Sequence, residues 1–223
     1  MPASPYLAPD FYAKALAAGR HRDIVGGRWD ETARAQMAAL RAAGLAPHHR
    51  LLDIGCGALR LGHMAVPYLD PAHYWGTDAS LALMQRGYEV ELADKSRLPL
   101  SNLIEDADFA FPGIPADIDF AIAFGVFTHL PIGAMESALH AVTTRLPRLR
   151  AFLFSVFLAP EAQFDGPYRQ TDGVVTHPDR APRHVLSADL LRLCDKAGLQ
   201  LLQSPGRLPR GQTLWVASPP QMP

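Results

Sequence analysis

Apolar residues in this 223-residue chain fall into two kinds of run that take turns along the sequence. Short, dense runs cover Arg50–Ile54, Tyr74–Thr77, Asn102–Glu105, Phe120–Phe124, Ala151–Leu158, Leu199–Gln203 and Thr213–Ala217. Their length and continuity predict strands. Ala151–Leu158 is apolar except for Ser155, as a strand buried on both faces should be. Between the strands lie segments with apolar side chains three and four residues apart, which predict helices over Leu59–Tyr68, Ser80–Ala93, Ile132–Leu146 and Ser187–Ala197. Ser187 is the expected cap of the last helix and Gly198 its stop. Upstream, a short helix is expected over Phe11–Ala18. A longer one runs from a cap at Asp30 to about Ala43, with Ala33, Met37 and Leu40 at helical spacing and Gly44 as its stop. Residues 1–10 carry three prolines and read as a loose lead-in. Strand–helix alternation predicts a parallel sheet with helices on both faces. The exception is Pro160–His184, about 25 residues with little periodicity, a length usually kept for function.

Composition narrows the picture. At 48 % hydrophobic and 19 % charged the chain can bury a sizeable core. We expect one domain, with residues 1–46 as a helical extension or lid and residues 47–223 as the nucleotide-binding body. The net charge of −1 gives no basic excess for nucleic acid, so no nucleic-acid partner is expected. No window approaches the ~18 uninterrupted apolar residues of a membrane span, and the N-terminus lacks a secretion signal. With two cysteines, Cys56 and Cys194, a cytoplasmic setting is the expectation.

The candidate chemistry begins at Leu51-Leu52-Asp53-Ile54-Gly55-Cys56-Gly57. Glycines directly after a strand let the backbone turn sharply and let a ligand approach the main chain. The helix that follows offers free N–H groups at its start. A dinucleotide fingerprint would need glycine at position 60, where Arg60 stands. Asp53 instead precedes the first glycine by two. Asp78 ends the second strand 21 residues after Gly57, a spacing at which an acid accepts from ribose hydroxyls. Glu105-Asp106-Ala107-Asp108 follows the third strand, and Phe124-Gly125-Val126-Phe127-Thr128-His129-Leu130 closes the fourth.

This series resembles the motifs of class I S-adenosylmethionine-dependent methyltransferases of the small-molecule type, over about Val25 to Ala217. The resemblance implies a three-layer αβα sandwich around a mostly parallel seven-stranded sheet, its last strand antiparallel. It implies S-adenosylmethionine as cofactor, held by Asp53, Gly55, Cys56, Gly57, Asp78, Ala79, Asp106, Ala107, Phe124 and Gly125. Asp106 would meet the adenine amino group, with Asp108 as the fallback, and Phe124-Gly125 would pass the sulfonium. Leu59 stands where the family has a third glycine. The Asn-Pro-Pro-Tyr type of motif of amino-group methylases is absent.

His129 has two readings: a general base for a substrate hydroxyl, or a cap or backbone-bonding residue. Arg28 and Trp29 are candidates for meeting the cofactor carboxylate and forming a lid, with a core tryptophan as the plainer alternative. In the long loop Tyr168, Asp172 and His184 are candidate acceptor contacts, and His177 a candidate second base. No metal site is expected, and neither cysteine is given a catalytic role. The reading is O-methylation of a small polar acceptor. The alternatives are an NAD(P)-dependent oxidoreductase, a non-catalytic S-adenosylmethionine-binding partner protein, and a methyltransferase acting on nucleic acid or protein.

Overall fold

The computed structural model describes residues 11–205 and 208–220. The lead-in expected over residues 1–10 lies outside them. Three helices come first: α1 (Phe11–Ala17), α2 (His21–Ile24) and α3 (Trp29–Ala42). Then β1 (Leu51–Ile54), α4 (Gly62–Tyr68), β2 (Tyr74–Asp78), α5 (Leu81–Val90), β3 (Leu103–Glu105), β4 (Phe120–Ala123), α6 (Ile132–Arg145) and β5 (Ala151–Leu158) follow. The chain closes with the short strands β6 (Tyr168–Arg169), β7 (Val175–Thr176) and β8 (His184–Val185), then α7 (Ser187–Lys196), β9 (Gln200–Gln203) and β10 (Thr213–Ser218).

The sheet runs β3-β2-β1-β4-β5-β10-β9. Strands β1 to β5 are mutually parallel, and β10 is antiparallel to both β5 and β9. Order reverses beside β1, which pairs Leu51 with Tyr74 of β2 on one side and with Phe120 of β4 on the other. Side chains alternate across the sheet because successive Cβ atoms point to opposite faces. Leu52, Ile54, Ala121, Ala123, Phe152 and Phe154 thus share one core with Met135 and Leu139 of α6 and Leu190 and Leu193 of α7. Leu51, Phe120, Ile122 and Leu153 share the other with Met37 and Leu40 of α3, Val66 of α4 and Met84 of α5. The three layers expected from the resemblance are therefore present, and the sheet carries β8 in addition.

The structure differs from the sequence pattern in five places. Helix α4 starts at Gly62 rather than Leu59, because the buried Leu59 takes φ +62 and breaks any continuous helix. Arg28, not Asp30, is the N-cap of α3, and Leu186, not Ser187, precedes α7 without a side-chain cap. The segment Pro160–His184 is built rather than irregular. A hairpin pairs Tyr168 with Thr176 and Arg169 with Val175, and β8 extends the sheet by pairing with Phe157 and Leu158 of β5. Two-residue strands are too short to leave a periodic trace in sequence. The four-residue α2 falls below that threshold too.

Candidate active site

A cavity of about 400 Å³ opens beyond the carboxyl ends of β1, β2, β4 and β5, beside the strand-order reversal. This is where ligands bind in open α/β sheets. The β1–α4 turn forms its floor. The N–H groups of Gly55 and Cys56 both donate to the Thr77 carbonyl, at 2.7 and 3.0 Å, which fastens the turn to β2. Gly55 and Gly57 take φ +71 and +56, a region costly for residues with a Cβ.

Asp78 ties three pieces together. Its carboxylate accepts from the Gly57 N–H at 2.9 Å and the Ser80 N–H at 3.0 Å, and its carbonyl accepts from the Asp106 N–H at 2.9 Å. Asp53 is 2 % exposed and accepts from the Tyr74 hydroxyl at 2.7 Å. Burial pushes Asp53 up to about 7, against the opposing Tyr74 hydrogen bond and Arg60 charge. Burial pushes Asp78 up to about 6, against its backbone hydrogen bonds. Both carboxyls face a cavity that has removed their water without supplying a full counter-charge.

All ten residues proposed for the cofactor line this cavity. Asp106 also organises its own loop. Its carboxylate accepts from the N–H groups of Asp108, Ala110 and Phe111, at 3.2, 3.2 and 2.8 Å. It thus shapes the chain after β3, while the exposed Asp108 is not on the cavity wall. Gly125 takes φ +76, and a Cβ built on it would meet nothing within 4 Å. Its N–H donates to Ser155 Oγ at 2.8 Å, and Ser155 in turn donates to Gln212 Oε1 at 2.6 Å. The one polar residue of β5 is therefore the brace that holds the exit of β4 against the β9–β10 connection. Ser155 stood out in sequence only as an interruption of an apolar run. Gln212 left no signal.

His129 sits on the cavity wall at the end of a short 3-10 turn, Phe127–His129. It does not cap α6, whose N-cap is Pro131. Burial, aided by the Arg210 charge, lowers its imidazole to about 4, so the ring is neutral near pH 7. Arg60 also lines the cavity; its Nη1 donates to the Val25 carbonyl. Its positive charge beside Asp53 was not anticipated from the sequence, where position 60 counted only as a missing glycine.

Several candidates are placed elsewhere. Trp29 is buried against α4, stacked on the His63 ring with centroids 5.7 Å apart and covered by Arg22, and is not on the cavity wall. Arg28 is exposed, faces Glu31 at 3.7 Å and lines a second, neighbouring cavity. From the N-terminal helices Tyr12, Thr32 and Gln36 reach the main cavity instead. Asp172 lines the second cavity. Tyr168, His177 and His184 line neither. His184 is buried with Nδ1 on Thr176 Oγ1 at 2.9 Å and Nε2 on the Phe164 carbonyl at 2.9 Å, so both ring nitrogens are taken up within the loop. The candidate contacts from the loop are thus structural residues or lie off the cavity. The loop instead sends Val174 and Pro182 to the wall. Cys194 is buried in α7, and burial raises its thiol to about 11.

Comparison with known proteins adds a family match for the middle of the chain. Residues 52–148 match the family described as a methyltransferase domain. Over those residues the chain carries a methyltransferase domain. No curated protein sequence matches the chain. Solved structures show the same fold at low identity. The magnesium protoporphyrin IX methyltransferase of Synechocystis PCC 6803, crystallised with S-adenosylmethionine, is 16 % identical, with TM-score 0.57 over 95 % of this chain and 85 % of that one. An amino pentose methyltransferase from Micromonospora echinaspora is 19 % identical, with TM-score 0.61 over 92 % and 96 %. A glycopeptide N-methyltransferase is 18 % identical, with TM-score 0.59 over 86 % and 91 %.

The residues of this methyltransferase fit the donor. Two buried carboxyls suit hydroxyl and ammonium donors, Arg60 suits a carboxylate, Leu83 and Phe109 give apolar walls for a ring, and Gly125 leaves its Cβ direction empty. Among the described residues no helix is long and apolar enough to cross a membrane.

Proposed function

We propose that this methyltransferase transfers a methyl group to a hydroxyl oxygen of a small polar acceptor, with His129 as the proton acceptor. The observation that carries the reading is a neutral imidazole on the cavity wall beside the Gly125 turn. S-adenosylmethionine, when bound, supplies an activated methyl group, so what the protein must contribute is chiefly alignment. In this reading Asp78 accepts from ribose hydroxyls, and the loop Asp106–Ala107 frames the adenine edge. Asp53 faces the methionine ammonium, and Arg60 takes the carboxylate role that sequence reading gave to Arg28. Tyr12, Val25 and Gly26 cover the cavity as the lid assigned to the N-terminal extension. The methyltransferase domain removes the oxidoreductase alternative. A cytoplasmic location belongs to this proposal and is supported by two buried, unpaired cysteines.

His129→Gln is expected to lower kcat at least 100-fold while leaving S-adenosylhomocysteine affinity within twofold, because the ring would act on the acceptor alone. Wild-type kcat should stay flat from about pH 5.5 to 8, since a group lowered to about 4 is already deprotonated there. A glutamine variant with near-normal kcat would assign His129 to structure.

The carboxyls give a pH signature for binding. Asp53 is raised from 3.8 to about 7 and Asp78 from 3.8 to about 6, so the unliganded folded state binds more protons than the unfolded chain between those limits. Their contribution to stability is complete below about pH 4 and is lost as pH rises to about 7. A ligand that donates hydrogen bonds or positive charge favours the ionised forms. Binding should therefore release protons at pH 6 and almost none at pH 8, with affinity rising up to about pH 7 and then levelling. Calorimetry at pH 6 in two buffers of different ionisation enthalpy reads this directly; equal apparent enthalpies would refute the linkage.

A further inference from the structure

The connection between β9 and β10 carries a residue that the cofactor reading leaves unused. Arg210 lies between Pro209 and Gly211 and takes φ +67, ψ +18, a left-handed backbone uncommon outside glycine. The neighbouring bonds hold it there. The Leu208 N–H donates to the Gln212 carbonyl, the Gly211 N–H to the Leu208 carbonyl, and Gln212 is fixed by Ser155. Asp172 packs against Gly211, where a Cβ would lie 2.7 Å from its Oδ1. Backbone strain kept in place at a cavity rim points to function rather than to folding.

Arg210 is the cation shared by the two cavities. It lines the main cavity with His129 and also the second one, about 340 Å³, with Arg28, Thr171 and Asp172. The other cations are engaged: Arg60 with the Val25 carbonyl, and Arg28 with Glu31. Arg210 makes no ion pair or side-chain hydrogen bond among the described residues. A guanidinium offers a planar fork of donors matched to a carboxylate or phosphate. Asp172 and Glu31 line the second cavity and would repel an anion there, which favours the main-cavity side of Arg210.

We infer that Arg210 selects the acceptor: the methyl-accepting molecule carries an anionic group, a carboxylate or phosphate, that pairs with Arg210 at the junction while its hydroxyl is presented toward His129. This inference rests on the small-acceptor reading above and adds the acceptor's charge to it.

The test uses methyl-labelled S-adenosylmethionine and a small-molecule extract split beforehand by anion exchange at pH 7.5 into retained and unretained pools. Label is expected in the retained pool. For the labelled acceptor R210Q should raise KM at least tenfold with kcat changed little, R210K should recover part of the loss, and S-adenosylhomocysteine affinity should stay within twofold in both. Retention on the exchanger before and after phosphatase treatment separates phosphate from carboxylate acceptors. Label in the unretained pool alone would overturn the inference and leave the small-acceptor reading standing. An unchanged KM in R210Q, or a loss of S-adenosylhomocysteine affinity as large as the change in KM, would overturn it as well. Label in neither pool would overturn both readings together.

Discussion

Replacing Asp78 by Ala is expected to weaken S-adenosylhomocysteine binding at least 100-fold, equivalent to about 2.7 kcal/mol. Two losses combine. In the proposed site the ligand's hydroxyl donors would lose their acceptor, and the N–H groups of Gly57 and Ser80 lose theirs, at 2.9 and 3.0 Å. Each hydrogen bond to a charged group is worth roughly 1.5–3 kcal/mol, and a buried donor left unpaired costs its own desolvation. The turn should loosen as well, lowering Tm by several degrees. Asp78→Asn separates the two effects. It keeps the shape and one acceptor but turns an NH₂ group toward one backbone donor, so binding should fall less than in the Ala variant. Titration calorimetry supplies the measurement, and an affinity within threefold of wild type for Asp78→Ala would remove this residue from the site.

Gly87→Ala should destabilise the protein by about 2 kcal/mol or more, although helix propensity alone argues the reverse. Gly87 is inside α5, where Ala is favoured by roughly 1 kcal/mol. Yet a Cβ there would lie 2.3 Å from the Ala58 carbonyl oxygen and 2.4 Å from its carbon. Those are backbone atoms of the turn that follows Gly57, so they cannot swing aside as a side chain could. Overpacking of this kind typically costs about 1–3 kcal/mol, and the rigid partner puts this case at the upper end. The displaced turn belongs to the cavity floor, so S-adenosylhomocysteine affinity should fall along with the urea midpoint. A midpoint raised by the substitution would show that α5 and the turn can move apart freely.

Much of this architecture was legible in the sequence because local rules agree with the global fold. Phe120–Phe124 is apolar on both faces and Leu51–Ile54 is apolar apart from Asp53, and the structure buries both strands between helices. The spacing of Ala33, Met37 and Leu40 gave the buried stripe of α3 correctly. The glycine turn, Asp78 and the segment at Phe124–His129 carry their meaning in residue type and interval, so their positions around one cavity could be expected.

The long loop was not legible. Its strands are two residues each and draw their order from contacts remote in sequence, such as His184 with Phe164 and Phe157. Its polar residues looked like chemistry because nothing in the sequence showed that hairpin donors and acceptors would absorb them. Trp29 was ambiguous for a related reason: whether an aromatic residue lids a cavity or plugs a helix interface depends on His63, 34 positions away.

The sequence by itself determined the strand–helix alternation of the cofactor half and the residues of the turn Leu51–Gly57, and its motifs pointed to the class of the domain by resemblance. The alternation and the turn follow from periodicity and from short intervals that the backbone must obey. Tertiary structure alone decided which charges meet. It set Arg60 beside Asp53, made Ser155 and Gln212 a brace for Gly125, lowered His129 by burial, and put Arg210 at the rim where two cavities join. The physical reason is the same throughout: burial and charge are properties of neighbours in space, and apart from Arg60 and Asp53 these neighbours stand tens of residues apart along the chain.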